Sequence, residues 1–457
     1  MAVDPDLLSD IDDLRSIVAD TLSSPRHRDA DRREGGQEAD AVGIEAEMFA
    51  IHVRDGAPAG RVSLDQLTGL LDDHPGLEAE PPSATQLTGW RVGDGARLMP
   101  EPGAQLEYAG PPCATAAAAA AQMSATIRDL ATYADTRGVA LIGTGLDPWH
   151  PAESVAQGLT CPRYPAMHRY LTRRSTHGHS MMTGSASIQV NLDLGGPEQA
   201  ASRWATALEV APLATAAFAC SPTPGAVNGR AVVWQWLDPT RTGIPPAFVA
   251  GEDDPVTVIT DFAMAADVLL VNRETVTHPG EPGFAFARWL SDGHPIHGRP
   301  TLADARYHLS TLFPEVRARG FLEIRSIDAL PERWRMVPVV LYCGLLYDQR
   351  TREYVRALMH AHRTHLPELL RRAAHLGVAD PQLCALAVEV WTAAAEGAHR
   401  LPSGFINIAD ISRAERFLDQ FTLRGRSPSD ELRERVAQGP AAALAWAREP
   451  VGSYTTC

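Results

Sequence analysis

The sequence predicts an α+β fold. Strand-like segments cluster in the first three-quarters of the chain. Helical periodicity then runs almost unbroken from Val337 to about Ala447, and the two kinds of segment do not alternate in a βαβ rhythm. Strands first and helices last favour an antiparallel or mixed sheet rather than a doubly wound one. With 457 residues, 45% hydrophobic and 21% charged, the chain has the composition of a soluble globular protein and the length for one large domain or two ordinary ones.

Taken in order, residues 5–22 read as an amphipathic helix with Leu7, Leu8, Ile11, Leu14, Ile17 and Val18 on one stripe. Residues 23–40 are polar and read as a flexible linker. Gly43–Val53 is a strand, 64–73 and 114–137 are helices, and Val139–Gly143 is a short apolar strand. Residues 164–172 read as a helix, 173–180 as a loop, Ser185–Asp193 as an alternating strand and 197–218 as a long helix. The Pro/Gly-rich stretch 222–260 reads as loop, with strands at Val268–Asn272 and Phe321–Ile327 beyond it.

Composition excludes several classes of function. A net charge of -15 argues against nucleic acid or an anionic membrane as partner. Met1 to Asp13 lacks the apolar core of a secretory signal, and no apolar run is long enough to span a bilayer, so a cytoplasmic protein is expected. The six cysteines are scattered without a C-x-x-C pair and read as reduced thiols. All 41 basic residues are arginine, which rules out a Walker A lysine, a kinase-type lysine and a lysine Schiff base. Any bound phosphate must then be neutralised by Mg²⁺, arginine or backbone N–H groups.

Chemistry is concentrated in segments that place acids and amides on alternate residues: Gly43-Ile-Glu45-Ala-Glu47, Glu101-Pro-Gly-Ala-Gln105-Leu-Glu107, Gln189-Val-Asn191-Leu-Asp193 and Glu323-Ile-Arg325. In a strand, residues i and i+2 share a face. Side by side, such strands make a sheet face rich in hard oxygen ligands, the kind that suit Mg²⁺ together with phosphates. Each segment also has a plainer reading: a solvated strand start, a polar hairpin, a core amide pair, a same-face salt bridge. Arg241 stands in the turn-rich Asp238-Pro-Thr-Arg-Thr-Gly243, where its fork could grip a carboxylate.

In combination, these motifs resemble the glutamate–cysteine ligases of the plant and proteobacterial type. The resemblance rests on Gly-Ile-Glu-Ala-Glu47, Glu-Pro-Gly-Ala-Gln-Leu-Glu107, Arg163-Tyr-Pro-Ala-Met167, Met181-Met182-Thr, Ile-Gln-Val-Asn-Leu-Asp193, Asp-Pro-Thr-Arg-Thr-Gly243 and Phe-Leu-Glu-Ile-Arg-Ser-Ile-Asp328, in that order. Residues 300–314 are similar to the actinobacterial branch that serves ergothioneine synthesis. The resemblance implies a glutamine-synthetase-like catalytic sheet, curved and mainly antiparallel, surrounded by helices, with a helical C-terminal part. It implies one catalytic domain over 41–447, an N-terminal helix and linker before it (1–40) and a tail after it (448–457). It implies two or three Mg²⁺ ions on Glu45, Glu47, Glu101, Glu107 and Glu323, with Gln189 in support. Asn191 and Arg241 would hold substrate glutamate, and Arg325 would face the γ-phosphoryl group of ATP. The implied activity is formation of γ-glutamylcysteine through a γ-glutamyl phosphate, for ergothioneine, glutathione or another small thiol. The alternatives are a ligase of the same fold acting on a different amine, and a non-catalytic relative that binds nucleotide and metal. Removal of residues 1–35 is expected to leave most activity intact.

Overall fold

The computed structural model describes residues 6–23, 40–80, 89–273 and 276–452. Nearly all of the expected linker lies outside the described residues. Fourteen strands are described: β1 Val42–Arg54, β2 Ala57–Arg61, β3 Leu77–Glu80, β4 Gly89–Val92, β5 Arg97–Pro100, β6 Gln105–Ala109, β7 Val139–Ile142, β8 Ser187–Leu192, β9 Thr242–Gly243, β10 Leu270–Arg273, β11 Val276–Pro279, β12 Phe313–Pro314, β13 Val316–Ala318 and β14 Leu322–Asp328. Ten of them form one sheet in the order β13-β14-β8-β1-β6-β5-β4-β3, with β2 and β7 also paired to β1. Every pairing in this sheet is antiparallel. The α+β expectation holds.

Strand β1 organises the sheet because it is long enough to change neighbours. Its first half, from Val42, pairs with β8 and β6, and its second half pairs with β7 and β2. The Asp55-Gly56 turn into β2 has positive φ at both residues, 51° and 73°, as a tight hairpin requires. Alternation then sorts the side chains. Ile44, Ala46, Met48, Leu106, Ile188, Val190, Leu192 and Ile324 fall on one face and are buried. The helix Pro197–Ala217 packs against β14 on this apolar side, and the helix Glu332–Tyr347 packs against β8. Glu332–Tyr347 meets the helix Pro381–Arg400 where Gly344 faces Gly397; a Cβ on Gly344 would lie 2.0 Å from Ala394 O, so only glycine allows this approach. No described helix is long and apolar enough to cross a membrane.

Three segments differ from expectation. Residues 173–180 hold the start of a helix, Gly178–Gly184, and the supposed loop 222–260 contains helices at Gly229–Gln235, Pro246–Val249 and, from Pro255, Pro255–Ala265. Here proline occupies the first turn, where its missing N–H costs nothing, so Pro/Gly punctuation marked starts rather than loops. The first helix is shorter than expected, Ile11–Thr21, because Asp10 caps it by accepting from Asp12 N and Asp13 N.

That helix is also no free appendage. Leu8, Leu14, Ile17 and Val18 are buried against Phe262, Phe286, Trp289 and Leu312 in a small apolar core of its own. Leu8 N donates to Pro300 O, and Gly320 N donates to Thr21 O. Removing residues 1–35 would expose this core, which counts against the expectation that the truncation is harmless. The expected tail likewise begins by binding back. Glu449 is buried in an ion pair with Arg335, and its N–H donates to Leu141 O.

Candidate active site

The face of the sheet opposite the apolar core carries the polar residues singled out from the sequence. Register makes them neighbours, since residues directly opposite in a ladder share a face. Glu45 lies opposite Gln189, and Glu47 opposite Glu107. Asn191 lies opposite Glu323, and Met99 opposite Glu107. Glu101 enters from the turn after β5, where Ala104 N donates to Glu101 O at 2.8 Å and Ala104 takes a φ of 59°. A Cβ on Gly103 would sit 2.2 Å from Thr183 O, so glycine is needed for this turn to press on the helix Gly178–Gly184. Buried Gln105 fastens the two: its Oε1 accepts from Gly103 N at 2.9 Å and its Nε2 donates to Ser185 O at 2.9 Å.

Glu45, Glu47, Met99, Glu101, Gln105, Glu107, Gln189 and Glu323 line a cavity of about 450 Å³. One end is acidic and holds Glu45, Glu47, Glu101 and Glu107. Glu47 Oε2 accepts from Ser187 N at 2.7 Å, and Glu45 Oε1 accepts from Asn191 Nδ2 at 3.0 Å. Burial, then repulsion from neighbouring carboxylates, raises three of the four. Glu101 is pushed up to about 8 by burial and then by Glu47. Glu107 stands well above the usual carboxylate range through burial and then Glu101, and Glu45 is raised by burial and then Glu323. Burial raises Glu47 too, against the pull of Arg230.

The other end holds Arg230, Arg317, Arg319 and Arg325, walled by Trp234 and Phe313. Glu323 belongs to this end. Arg317 forks onto it at 2.7 and 2.8 Å, and Arg325 also donates to it. Burial would raise Glu323, but Arg317 and then Arg325 overcome this and hold it at about 2. Both of its oxygens are engaged by arginines, unlike those of the four-glutamate cluster. Arg325 also donates to Gln189 Oε1 at 3.0 Å, which takes up the oxygen that Gln189 was expected to offer a metal. Arg325 itself lines the cavity as expected.

Arg241 does not line it. The side chain is fully buried beneath the surface of the turn, in an ion pair with Asp238 at 2.8 Å, donating to Thr311 O at 3.0 Å and to Asp267 O. Every direction of its fork is used inside the protein, by Asp238, Thr311, Tyr170 and Asp267. Asn191 holds Glu45 rather than facing the cavity. Arg317, Arg319 and Arg230 are cavity arginines that sequence reasoning missed. Arg317 and Arg319 alternate in Glu315-Val-Arg317-Ala-Arg319 just as the glutamates do, a period-two signal of the same kind. Arg230 gave no signal, since its helix falls in the stretch read as loop.

Among the described residues, no three His, Cys, Asp or Glu side chains are already gathered around a metal-ion position. The acidic end nevertheless suits a cation in its chemistry. Its carboxylates are buried, make no ion pair with an arginine among the described residues, and raise one another's pKa: Glu101 is raised by burial and then Glu47, and Glu107 by burial and then Glu101. Positive charge is what such a cluster lacks.

Residues 41–447 match the model of glutamate–cysteine ligase family 2. The chain is 34% identical to glutamate–cysteine ligase EgtA of Mycolicibacterium smegmatis, over 88% of this chain and 89% of the relative. It is 30% identical to the chloroplastic glutamate–cysteine ligase of Medicago truncatula, over 70% and 67% of the two chains. In three dimensions it resembles the crystal structure of a glutamate–cysteine ligase from Francisella tularensis in complex with AMP. The TM-score is 0.52 at 12% identity, with 90% of this chain and 88% of the other covered, a likeness of fold.

Proposed function

The chain belongs to glutamate–cysteine ligase family 2, and from that premise we propose that it joins L-glutamate to L-cysteine in an ATP- and Mg²⁺-dependent reaction through a γ-glutamyl phosphate. The product, γ-glutamylcysteine, would feed ergothioneine or another low-molecular-weight thiol in the cytoplasm. The observation that carries this reading is the polarity of the cavity: unpaired glutamates at one end face arginines at the other.

The chemistry needs both ends. A carboxylate is a poor acyl donor because oxide is a poor leaving group. A γ-carboxylate oxygen of glutamate attacks the terminal phosphorus of ATP, the O–P bond to ADP breaks, and ADP leaves. The cysteine amine then attacks the acyl phosphate carbon, loses a proton, and phosphate departs as the amide forms. Arg325 and Arg230 supply fixed positive charge to the transferring phosphoryl group. Arg317 holds Glu323 and so fixes the orientation of Arg325. Glu45, Glu47, Glu101 and Glu107 would hold Mg²⁺, which when bound neutralises the phosphate oxygens that these carboxylates would otherwise repel. Arg163, Tyr164 and Arg319 at the cavity wall are polar groups that could take the ends of the amino acid substrates.

The test is ADP release by the full chain. It is expected only when Mg²⁺, L-glutamate and L-cysteine are all present, and γ-glutamylcysteine is the expected product. Release with another amine in preference to cysteine would replace the acceptor. Nucleotide binding without release would make the protein a non-catalytic relative.

A further inference from the structure

Asp328 ends β14, outside the main cavity, and is fully buried. Its Oδ2 accepts from Cys220 N at 2.8 Å and from Ser221 Oγ at 2.6 Å. Its Oδ1 has no hydrogen-bond donor, and Arg230 Nη1 lies 3.7 Å from it. Among the described residues this is the one ion pair of Arg230. Glycine clears the place: a Cβ on Gly145 would lie 2.4 Å from Asp328 Cγ. Arg230 is tied to the same unit twice more. Its Nη2 donates to Arg325 O at 3.1 Å, and its backbone N donates at 3.1 Å to Ser221 Oγ, the hydroxyl that bonds Asp328. On the cavity side the attraction comes from Glu47. Of the carboxylates acting on Arg230, Asp328 acts most strongly and Glu47 next.

We propose that Asp328 is a positioning residue that holds the Arg230 guanidinium at the arginine end of the cavity, back from Glu47. The two carboxylates share one cation, Asp328 from behind the cavity wall and Glu47 from within the cavity. Glu47 is not free to move, because Ser187 N and Ser187 Oγ both hold its Oε2. The arginine is therefore the partner that shifts when the balance changes. A buried cation is stable only beside an opposite charge. With Asp328 made neutral, Glu47 is the strongest attraction left. An Arg230 drawn to Glu47 is lost to the phosphoryl group, and it occupies a carboxylate that the metal needs. The bond from Arg230 to Arg325 O survives loss of the Asp328 charge, so the expected change is a displaced guanidinium and not a collapsed site.

The proposal rests on the ligase reading only for what Arg230 acts on, and the tests keep the two claims apart. Asp328→Asn keeps size and leaves an oxygen for Cys220 N and Ser221 Oγ, but removes the charge. The expected result is a kcat for ADP release lowered about ten- to a hundredfold, with KM for cysteine within about twofold of wild type. The decisive comparison is a double-mutant cycle. In the already slow Arg230→Gln background, Asp328→Asn should lower kcat by less than about twofold further. A purely structural role for Asp328 in the Cys220–Ser221 segment would lower both backgrounds alike, and that result, or an unchanged kcat in the single variant, overturns the proposal. Should Asp328→Asn fail to fold, Arg230→Met decides. It leaves Asp328 buried without its cation, so the melting temperature should fall by about 3 °C or more, and an unchanged value overturns the pairing. If wild type releases no ADP, the ligase reading fails by itself. A crystal structure of Asp328→Asn then tests the positioning role: Arg230 displaced toward Glu47 supports it, and Arg230 unmoved overturns it.

Discussion

The two ends of the cavity carry opposite charge and are held in opposite ways. At the arginine end the one carboxylate is neutralised within the protein: Glu323 is clasped by Arg317 and Arg325, and its pKa falls to about 2. At the acidic end four carboxylates face one another without cations, and Glu101 rises to about 8. Both ends are buried and polar, yet one is finished by folding and the other is left to be completed by a ligand. Buried charge costs stability unless paired. The acidic end is therefore where stability has been given up for binding.

The sharpest break of this contrast is Glu47→Gln. It removes a charge the fold does not need but phosphoryl transfer does. Turnover should fall by about 10²–10³-fold, as for loss of one electrostatic contact to a transition state. Thermal stability should hold or rise. A variant that keeps turnover at ordinary Mg²⁺ would return Glu47 to a solvated strand residue.

At the other end the signs exchange. Arg317→Met leaves Glu323 with one fewer partner in a buried site, so urea unfolding should show a loss of about 3 kcal/mol. Arg317→Met with Glu323→Met should recover part of it. If the single substitution is neutral, the arginine end is not prepaired in the sense argued here.

Arg241 sharpens the comparison from outside the cavity. It is paired like Arg317 but touches no substrate space. Arg241→Lys should cost about 2 kcal/mol of stability by losing charge-assisted bonds to Thr311, Asp267 and Asp238. The KM for glutamate, measured on folded protein, should barely move. A large rise in that KM at unchanged stability would put Arg241 back at the substrate.

The smallest effect is in pH. A carboxyl raised by folding stabilises fully below its unfolded value near 4.5, and that contribution is lost as pH rises through its folded value. Glu101 therefore costs the Mg²⁺-free protein stability between about pH 4.5 and its folded value of about 8. Glu323 behaves oppositely: its contribution is present above 4.5 and lost only as pH falls toward about 2. Without Mg²⁺, the melting temperature should drop by about 2 °C or more from pH 5.5 to 8, and Mg²⁺ should restore it more at pH 8 than at pH 5.5. Equal stabilisation at both would mean the cation does not displace a proton from this cluster.

Much of the site was legible because a period of two is a local property. Glu45 with Glu47, Gln105 with Glu107, and Gln189 with Asn191 declare their shared faces without any knowledge of the fold. The antiparallel sheet and the late helices were legible for the same reason. Register was not. Nothing local says that Glu47 lies opposite Glu107 or Asn191 opposite Glu323, since those pairings join distant segments.

By itself, then, the sequence determined the fold class, the four glutamates, the arginine-only cation supply and, through ordered motifs, the family. Tertiary structure decided which charges are already spent. Glu323 and Arg241 looked like free ligands because a side chain's type is local. Whether its hydrogen bonds are taken depends on partners brought in by folding, as Arg317 is across β13 and β14, and Thr311 and Asp267 are from distant segments. It also decided that the first helix belongs to a core, because an apolar stripe shows only that a helix must be buried, and the surface that buries it lies some 250 residues further along the chain.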